Sequence, residues 1–393
     1  MTASAFLFWA GIALVVYTYA LYPILLSFCS AAHQLCSDWR YLNRPATRRV
    51  RSAGPTPEVA VLVAAFNEER HIAERVRNLL NQTYEPSRLR VYVGSDASND
   101  ATASLLRGID DPRLTFVDFQ TRRGKASVIN DLAAMADEEI LVMTDANTSF
   151  DAAAVEKLVR HFSQPEVGCV CGELRLVKGE AGGDNQDHFY WRYERVLKFF
   201  ESRIGGLLGA NGGVYALRRS LYAPIPPNTI VDDFWISMQV VEQRRRCVYD
   251  PEAVATETIP ERIGDEFRRR VRIGIGNYQS LKRFLGMLDP RRGVVACTFF
   301  SHKVLRWLAP HCMLIALISN LMLVADPFYG WWFAAQCAFY GSALIGWRLS
   351  SRGSTPRPLR IPLFFVSMNV GLLLGSWKFV TQASSGVWSR SAR

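Results

Sequence analysis

Residues 5–28, from Ala5 to Phe28, carry no charge and are apolar enough to cross a bilayer as a helix, since the hydrocarbon core needs about 20 such residues. A signal peptide is the competing reading. It requires a basic start and a shorter apolar core, whereas Met1-Thr2-Ala3-Ser4 is uncharged and Arg40, Arg44, Arg48, Arg49 and Arg51 follow the segment. Three further segments, 307–325, 329–347 and 361–377, have almost no charge and place Trp or Tyr near their ends, as membrane-interface belts do. The loop between the last two holds Arg348, Arg352, Arg357 and Arg360, while Ala325–Gly330 holds no basic residue. The positive-inside bias therefore puts 30–306 and 348–360 on the cytoplasmic side. Lys378, Arg390 and Arg393 oppose the outward tail that parity then demands, which leaves the last segment between a crossing and a re-entrant hairpin.

The net charge of +10 would suit nucleic acid, but much of the excess lies beside the apolar segments, where anionic lipid headgroups account for it more simply. Membrane lipids, and not nucleic acid, are the expected partners. The 8 cysteines and 6 histidines show neither zinc spacing nor a paired secretory framework, in agreement with a reducing compartment.

Residues 30–57 are polar and basic, with Pro45, Pro55 and Pro57 against regular structure, and read as a juxtamembrane linker. From Glu58 short apolar runs alternate with amphipathic stretches, which predicts an α/β domain over 58–260 with a mostly parallel sheet. Strands are expected at 59–65, 89–94, 114–117, 140–145 and 167–177, and helices at 69–81, 125–136 and 186–204. Three of these strands end in acids or amides: at Phe66-Asn67-Glu68, at Asp96, and at Asp145-Ala146-Asn147. Right-handed crossovers would bring those ends to one edge of one sheet, where open α/β folds bind ligands. A single acidic strand end is as well explained by helix capping. Several carboxylates sharing one crevice repel unless a cation or donors intervene, and hard oxygen donors suit a divalent ion carrying a phosphorylated substrate.

Downstream, Gly205–Arg219 contains Gly209, Asn211, Gly212 and Gly213 among apolar residues, a composition for a backbone lying close to a bulky ligand rather than for a flexible linker. Val231-Asp232-Asp233-Phe234-Trp235 opens a helix. Its acids serve the helix dipole equally well or supply a carboxylate on a rigid element as a general base. Glu266–Leu285 mixes Arg268, Arg269, Arg270, Arg272, Lys282 and Arg283 with apolar residues at helical spacing, which predicts an amphipathic helix at the membrane surface within an interfacial region 261–303. Its arginines either snorkel or neutralise a diphosphate. Residues 304–380 then hold the C-terminal membrane segments, about four crossings in all.

Together these motifs resemble family 2 glycosyltransferases, in particular the membrane-embedded synthases of poly-N-acetylglucosamine, hyaluronan, chitin oligosaccharides and cellulose. The resemblance covers most of 58–283. Val61–Glu68 looks like the family's opening strand and Asn-Glu turn, and Ser95-Asp96-Ala97-Ser98-Asn99-Asp100 is similar to its Asp-Asp-Gly-Ser-x-Asp signature, with Ser95 where the first acid would stand. Thr144-Asp145-Ala146-Asn147 stands in the place of the Asp-x-Asp metal motif, with an amide for the second acid. Val231-Asp232-Asp233 corresponds to the Thr-Glu-Asp element, and Arg269-Arg270-Val271-Arg272-Ile273 to the Gln/Arg-x-x-Arg-Trp motif, with Ile273 in place of Trp.

The resemblance implies a GT-A-like, Rossmann-related domain that inverts the anomeric carbon of a UDP-sugar, with Mg2+ or Mn2+ as cofactor. It implies Asp145 and Asn147 as metal ligands, and Asp233, next to Asp232, as base. Phe66, Asn67, Glu68, Asp96 and Lys125 would hold the nucleotide, and Arg269 and Arg272 its diphosphate. Gly209, Asn211 and Gly212 would meet the acceptor, a glycan or a lipid. The family Trp floors a growing chain, so Ile273 weighs against processive synthesis. A bacterial inner membrane with the catalytic domain in the cytoplasm is the location implied.

Overall fold

The computed structural model describes residues 2–43, 56–177, 187–258, 263–350 and 355–381. The linker arginines Arg44, Arg48, Arg49 and Arg51, the loop residue Arg352, and Arg390 and Arg393 lie outside the described residues. In chain order the elements are α1 (Ala3–Val16), α2 (Tyr22–Asn43), β1 (Val59–Ala65), α3 (Ile72–Leu80), β2 (Leu89–Asp96), α4 (Thr102–Arg107), β3 (Leu114–Phe119), α5 (Lys125–Met135), β4 (Ile140–Asp145), β5 (Thr148–Phe150), α6 (Ala154–Val159) and β6 (Val167–Val177). There follow α7 (Asp187–Arg203), β7 (Tyr215–Arg218), α8 (Asp232–Glu242), β8 (Arg246–Thr258), α9 (Ile263–Arg283), α10 (Val294–Thr298), α11 (Leu305–Leu321), α12 (Pro327–Ser350) and α13 (Arg357–Thr381).

The strands form one sheet in the order β3-β2-β1-β4-β7-β6-β8-β5. The half built from β3, β2, β1 and β4 is parallel. The other half is mixed, because β7 runs antiparallel to both β4 and β6, and β5 antiparallel to β8. Every residue of β1 is buried, as expected for a strand paired on both sides and covered on both faces. Its two faces feed separate cores: Ala60, Leu62 and Ala64 pack with α5 and α8, while Val59, Val61 and Val63 pack with α3 and α6. In this register Ala64 lies opposite Asp145 and Ala65 opposite Ser95, the residue before Asp96. The three polar strand ends therefore share one edge.

Among the described residues three helices are long and apolar enough to cross a membrane, at Ala3–Asn43, Val294–Leu321 and Arg357–Thr381, where the sequence suggested about four. The segment expected at 329–347 is helical, as α12, but Tyr329, Gln336 and Tyr340 along it dilute its hydropathy. The first helix continues past the expected end to Asn43, through a π-helical turn at Tyr17–Leu21, so the stretch read as linker begins as helix. The amphipathic helix forms as α9. It is wedged between α13 and the loop before α8 through glycines: a Cβ on Gly276 would stand 2.3 Å from Val231, and one on Gly375 would stand 2.7 Å from Gly274 of α9. Arg270 of α9 donates to Ser367 of α13 at 3.0 Å and lies over Phe364.

A buried polar joint ties the long apolar helices to the α/β domain. Tyr22 donates to Glu201 of α7 at 2.7 Å, and His302 Nδ1 meets the same carboxylate oxygen at 2.6 Å. Arg306 pairs with Glu194. Tyr17 and Ser301, each within a π-helical turn, are hydrogen bonded at 2.9 Å, which registers the two spans against one another.

Candidate active site

The nucleotide-side loops are organised by backbone geometry. Asn67 takes a positive φ of 55°, and its Oδ1 accepts the amide of Asn99 while its own N–H donates to Ser98. The buried Asp96 accepts from the amides of Arg123 and Gly124 at 2.7 and 2.8 Å, one per oxygen. This fixes the turn that launches Lys125 from the start of α5. A carboxylate has about four lone-pair sites, so Asp96 retains acceptor capacity. Phe66 is covered by the Arg122 guanidinium at 3.7 Å from the ring centre, a planar cation on an aromatic face at the rim of the same crevice.

Lys125 is the hub. Its Nζ lies 2.8 Å from Asp145 and 3.0 Å from Asp232, joining the end of β4 to the start of α8. Burial alone would lower this amine, but the two carboxylates outweigh it and hold it well above its ordinary range. The Asp145 turn is pinned from behind: Thr144 Oγ1 is 2.8 Å from Thr148 Oγ1 and donates to the Gly213 carbonyl, and the buried Arg75 donates to Thr144. Burial pushes Arg75 down to about 9, with Asp145 opposing.

Asn147 donates its Nδ2 to Glu257 of β8 at 3.0 Å. That bond leaves Oδ1 as the end of the amide able to ligate a cation. Among the described residues no group of three or more His, Cys, Asp and Glu is placed to hold a metal ion. Asp145, one of whose oxygens already meets Lys125, and Asn147 two residues on could between them supply a partial oxygen shell. Such a shell fits a Mg2+- or Mn2+-type ion that completes its coordination with substrate phosphates and water.

Asp233 is the group with the chemistry of a base. Burial first, then Asp232, push its carboxyl up from 3.8 to about 6, against the pull of Lys125 and the amide of Phe234. The glycine loop before β7 lies directly against it. A Cβ on Gly212 would sit 3.2 Å from Asp233 Oδ2, and one on Gly209, at φ +84°, would sit 2.6 Å from Phe234. Asn211 is buried, donating Nδ2 to the Gly172 carbonyl and accepting from Lys198. A chain of contacts therefore links the Gly209–Gly212 loop through the start of α8, Asp233 and Asp232, to Lys125 and Asp145. Arg269 and Arg272 are half-buried on α9, the helix that Gly276 presses against Val231 next to Asp232. Glu257, Lys198 and Arg75 escaped the sequence reading, since their partners lie 110, 13 and 69 residues away along the chain and none belongs to a local motif.

The family model for glycosyl transferase family 2 matches residues 60–223. A poly-β-1,6-N-acetyl-D-glucosamine synthase of Staphylococcus aureus (strain COL) is 27% identical over 263 residues, which are 63% of this chain and 63% of that protein. The synthase of that name from Staphylococcus epidermidis is 25% identical over 232 residues, 57% of this chain and 56% of its own length. The match thus spans less than two thirds of these relatives. Among solved structures, a mannosyltransferase from Pyrobaculum calidifontis in complex with GDP-Man and Mn2+ superposes with a TM-score of 0.66 at 23% identity, covering 94% of this chain and 99% of that one. This likeness is one of fold.

Proposed function

We propose that the chain, whose residues 60–223 match the family model for glycosyl transferase family 2, belongs to that family and transfers a sugar from a UDP-sugar to a glycan acceptor, with inversion, at the cytoplasmic face of a bacterial inner membrane. The observation that carries this reading is Asp233, a carboxyl raised to about 6 and lying at the start of α8 against the Gly209–Gly213 loop, where a Cβ on Gly212 would stand 3.2 Å from its Oδ2. A base with its pKa near the working pH is the effective one for taking a hydroxyl proton.

In the single displacement, the acceptor oxygen bonds to the anomeric carbon and its proton goes to Asp233. The bond from that carbon to the β-phosphate oxygen breaks, and the electron pair leaves with UDP. One base suffices for inversion, whereas retention would need a placed nucleophile as well. Asp232, held by Lys125, fixes the first turn of α8 and so the position of Asp233. The turn 66–68 and Asp96 cradle the uridine, and Lys125, with three donor protons, adds a phosphate oxygen while keeping Asp232. Arg269 and Arg272 neutralise the leaving diphosphate as planar forks. Asp145 and Asn147 would hold the divalent cation, which when bound would act as a Lewis acid toward the leaving diphosphate.

Asp233→Asn should lower turnover by about 10²–10⁴-fold while UDP binding, measured by calorimetry, stays near the wild-type value. Turnover that survives the substitution would place the base elsewhere.

A further inference from the structure

Of the two residues proposed to hold the cation, Asn147 is an amide where the resembled metal motif has an acid, and its neighbour across the sheet is a carboxylate. Asn147 belongs to the turn that joins β4 to β5. Both sides of that turn are fixed: Ala146 is buried in the core, and Thr148 donates its hydroxyl to the Asp145 carbonyl at 2.9 Å. β5 is the edge strand of the sheet, next to β8, in a register that sets Thr148 opposite Glu257. This pairing carries the Glu257 side chain, in a residue only 8% exposed, to Asn147, whose Nδ2 donates to Glu257 Oε1 at 3.0 Å.

An amide has one end that ligates a cation and one that cannot. A freely turning Asn147 would present either, and the wrong orientation would have to be undone before a cation binds. An ionised carboxylate only accepts hydrogen bonds, so Glu257 takes the Nδ2 end and leaves Oδ1 for the other side. Donation to a charged acceptor is the stronger kind of hydrogen bond, and outer-shell partners of this sort fix a ligand's orientation and raise its basicity. An acid at position 147 would instead meet Glu257 as a like charge at close range. The amide at 147 and the carboxylate at 257 are therefore a matched pair. On the premise of the metal site proposed above, we infer that Glu257 is a positioning residue: it holds the Asn147 amide with Oδ1 left for the cation, so that an amide serves in place of the second acid. Its effect on the cation passes through Asn147.

The test is a double-mutant cycle on Mn2+ affinity, read by paramagnetic resonance on the purified full chain in detergent, with UDP present and no sugar donor. Glu257→Ala should weaken Mn2+ binding about 10-fold or more, the range lost when an outer-shell partner is removed. In an Asn147→Asp background either carboxylate oxygen can ligate and no end needs choosing, so the further change Glu257→Ala should cost nothing. UDP affinity with chelator present, measured by calorimetry, should be the same for wild type and Glu257→Ala. Unchanged Mn2+ affinity in Glu257→Ala would overturn the inference, as would an equal loss in the Asn147→Asp background. A fall in UDP affinity under chelator as large as the fall for Mn2+ would give Glu257 a purely structural role and also overturn it. Absence of Mn2+ binding by wild type would remove the metal site itself, and the inference with it. The proposed transfer fails separately, if no UDP-sugar yields UDP while Mn2+ affinity follows the expected pattern.

Discussion

At the scale of single residues, the site is a set of charges tuned by one another. Ionised Asp233 is the active form of a base, so kcat/KM should fall below about pH 6, the value to which burial and Asp232 raise it, and level off above. Lys125 opposes that rise. Lys125→Met should therefore move the acid limb to higher pH, a shift read from the pH profile independently of the loss in nucleotide affinity. A limb that stays in place would separate Lys125 from the base. Asn147→Asp adds a second carboxylate to the partial oxygen shell and should tighten Mn2+ binding, measured by paramagnetic resonance; unchanged affinity would remove residue 147 from the metal site. Ala97 occupies the glycine position of the resembled signature at φ 54°, a left-handed conformation that costs a non-glycine residue about 1–2 kcal/mol. Ala97→Gly should raise the thermal midpoint, and a lowered one would show that the strain is offset locally. Asp145 and Asp233 stood out as candidates because each lies at the end or start of a regular element, but local sequence left both open to capping, and the roles proposed for them came from the family resemblance. The bond from Asn147 to Glu257 was not, since those residues are 110 apart in sequence.

At the scale of elements, the parallel half of the sheet was readable as continuous apolar runs, and β6 begins and ends where the sequence placed it. The rest of the mixed half was not. β5 has 3 residues and β7 has 4, too short for any periodicity to register. β8 is interrupted: its pairing with β6 jumps from Asp250 to Val254, and Pro251, which has no N–H to give to a ladder, lies in the skipped stretch. The contact of α9 with the loop before α8 was also hidden, because only packing shows why Gly276 must be small. Gly276→Ala puts a methyl into Val231 and should push the Asp232–Asp233 turn out of place. Overpacking of this kind costs about 1–3 kcal/mol, and kcat should drop more than the affinity for UDP. Equal losses in both would point to general unfolding.

At the scale of the whole molecule, the catalytic domain is joined to its membrane helices through buried polar contacts rather than through a loose tether. Tyr22→Phe removes the hydroxyl that donates to Glu201 and should cost about 1–3 kcal/mol, seen as a lower unfolding midpoint in detergent. An unchanged midpoint would mean that His302 alone satisfies that carboxylate. The sequence announced membrane helices by length and apolarity, yet gave no sign of this joint, whose residues are far apart along the chain. The measurement closest to the central claim is UDP release by the purified chain from a panel of UDP-sugars, with Mn2+ and with chelator, for wild type and Asp233→Asn. We expect release from at least one donor, dependent on the cation, and about 10²–10⁴-fold slower in the variant. No release from any UDP-sugar, or undiminished turnover in Asp233→Asn, would contradict the account.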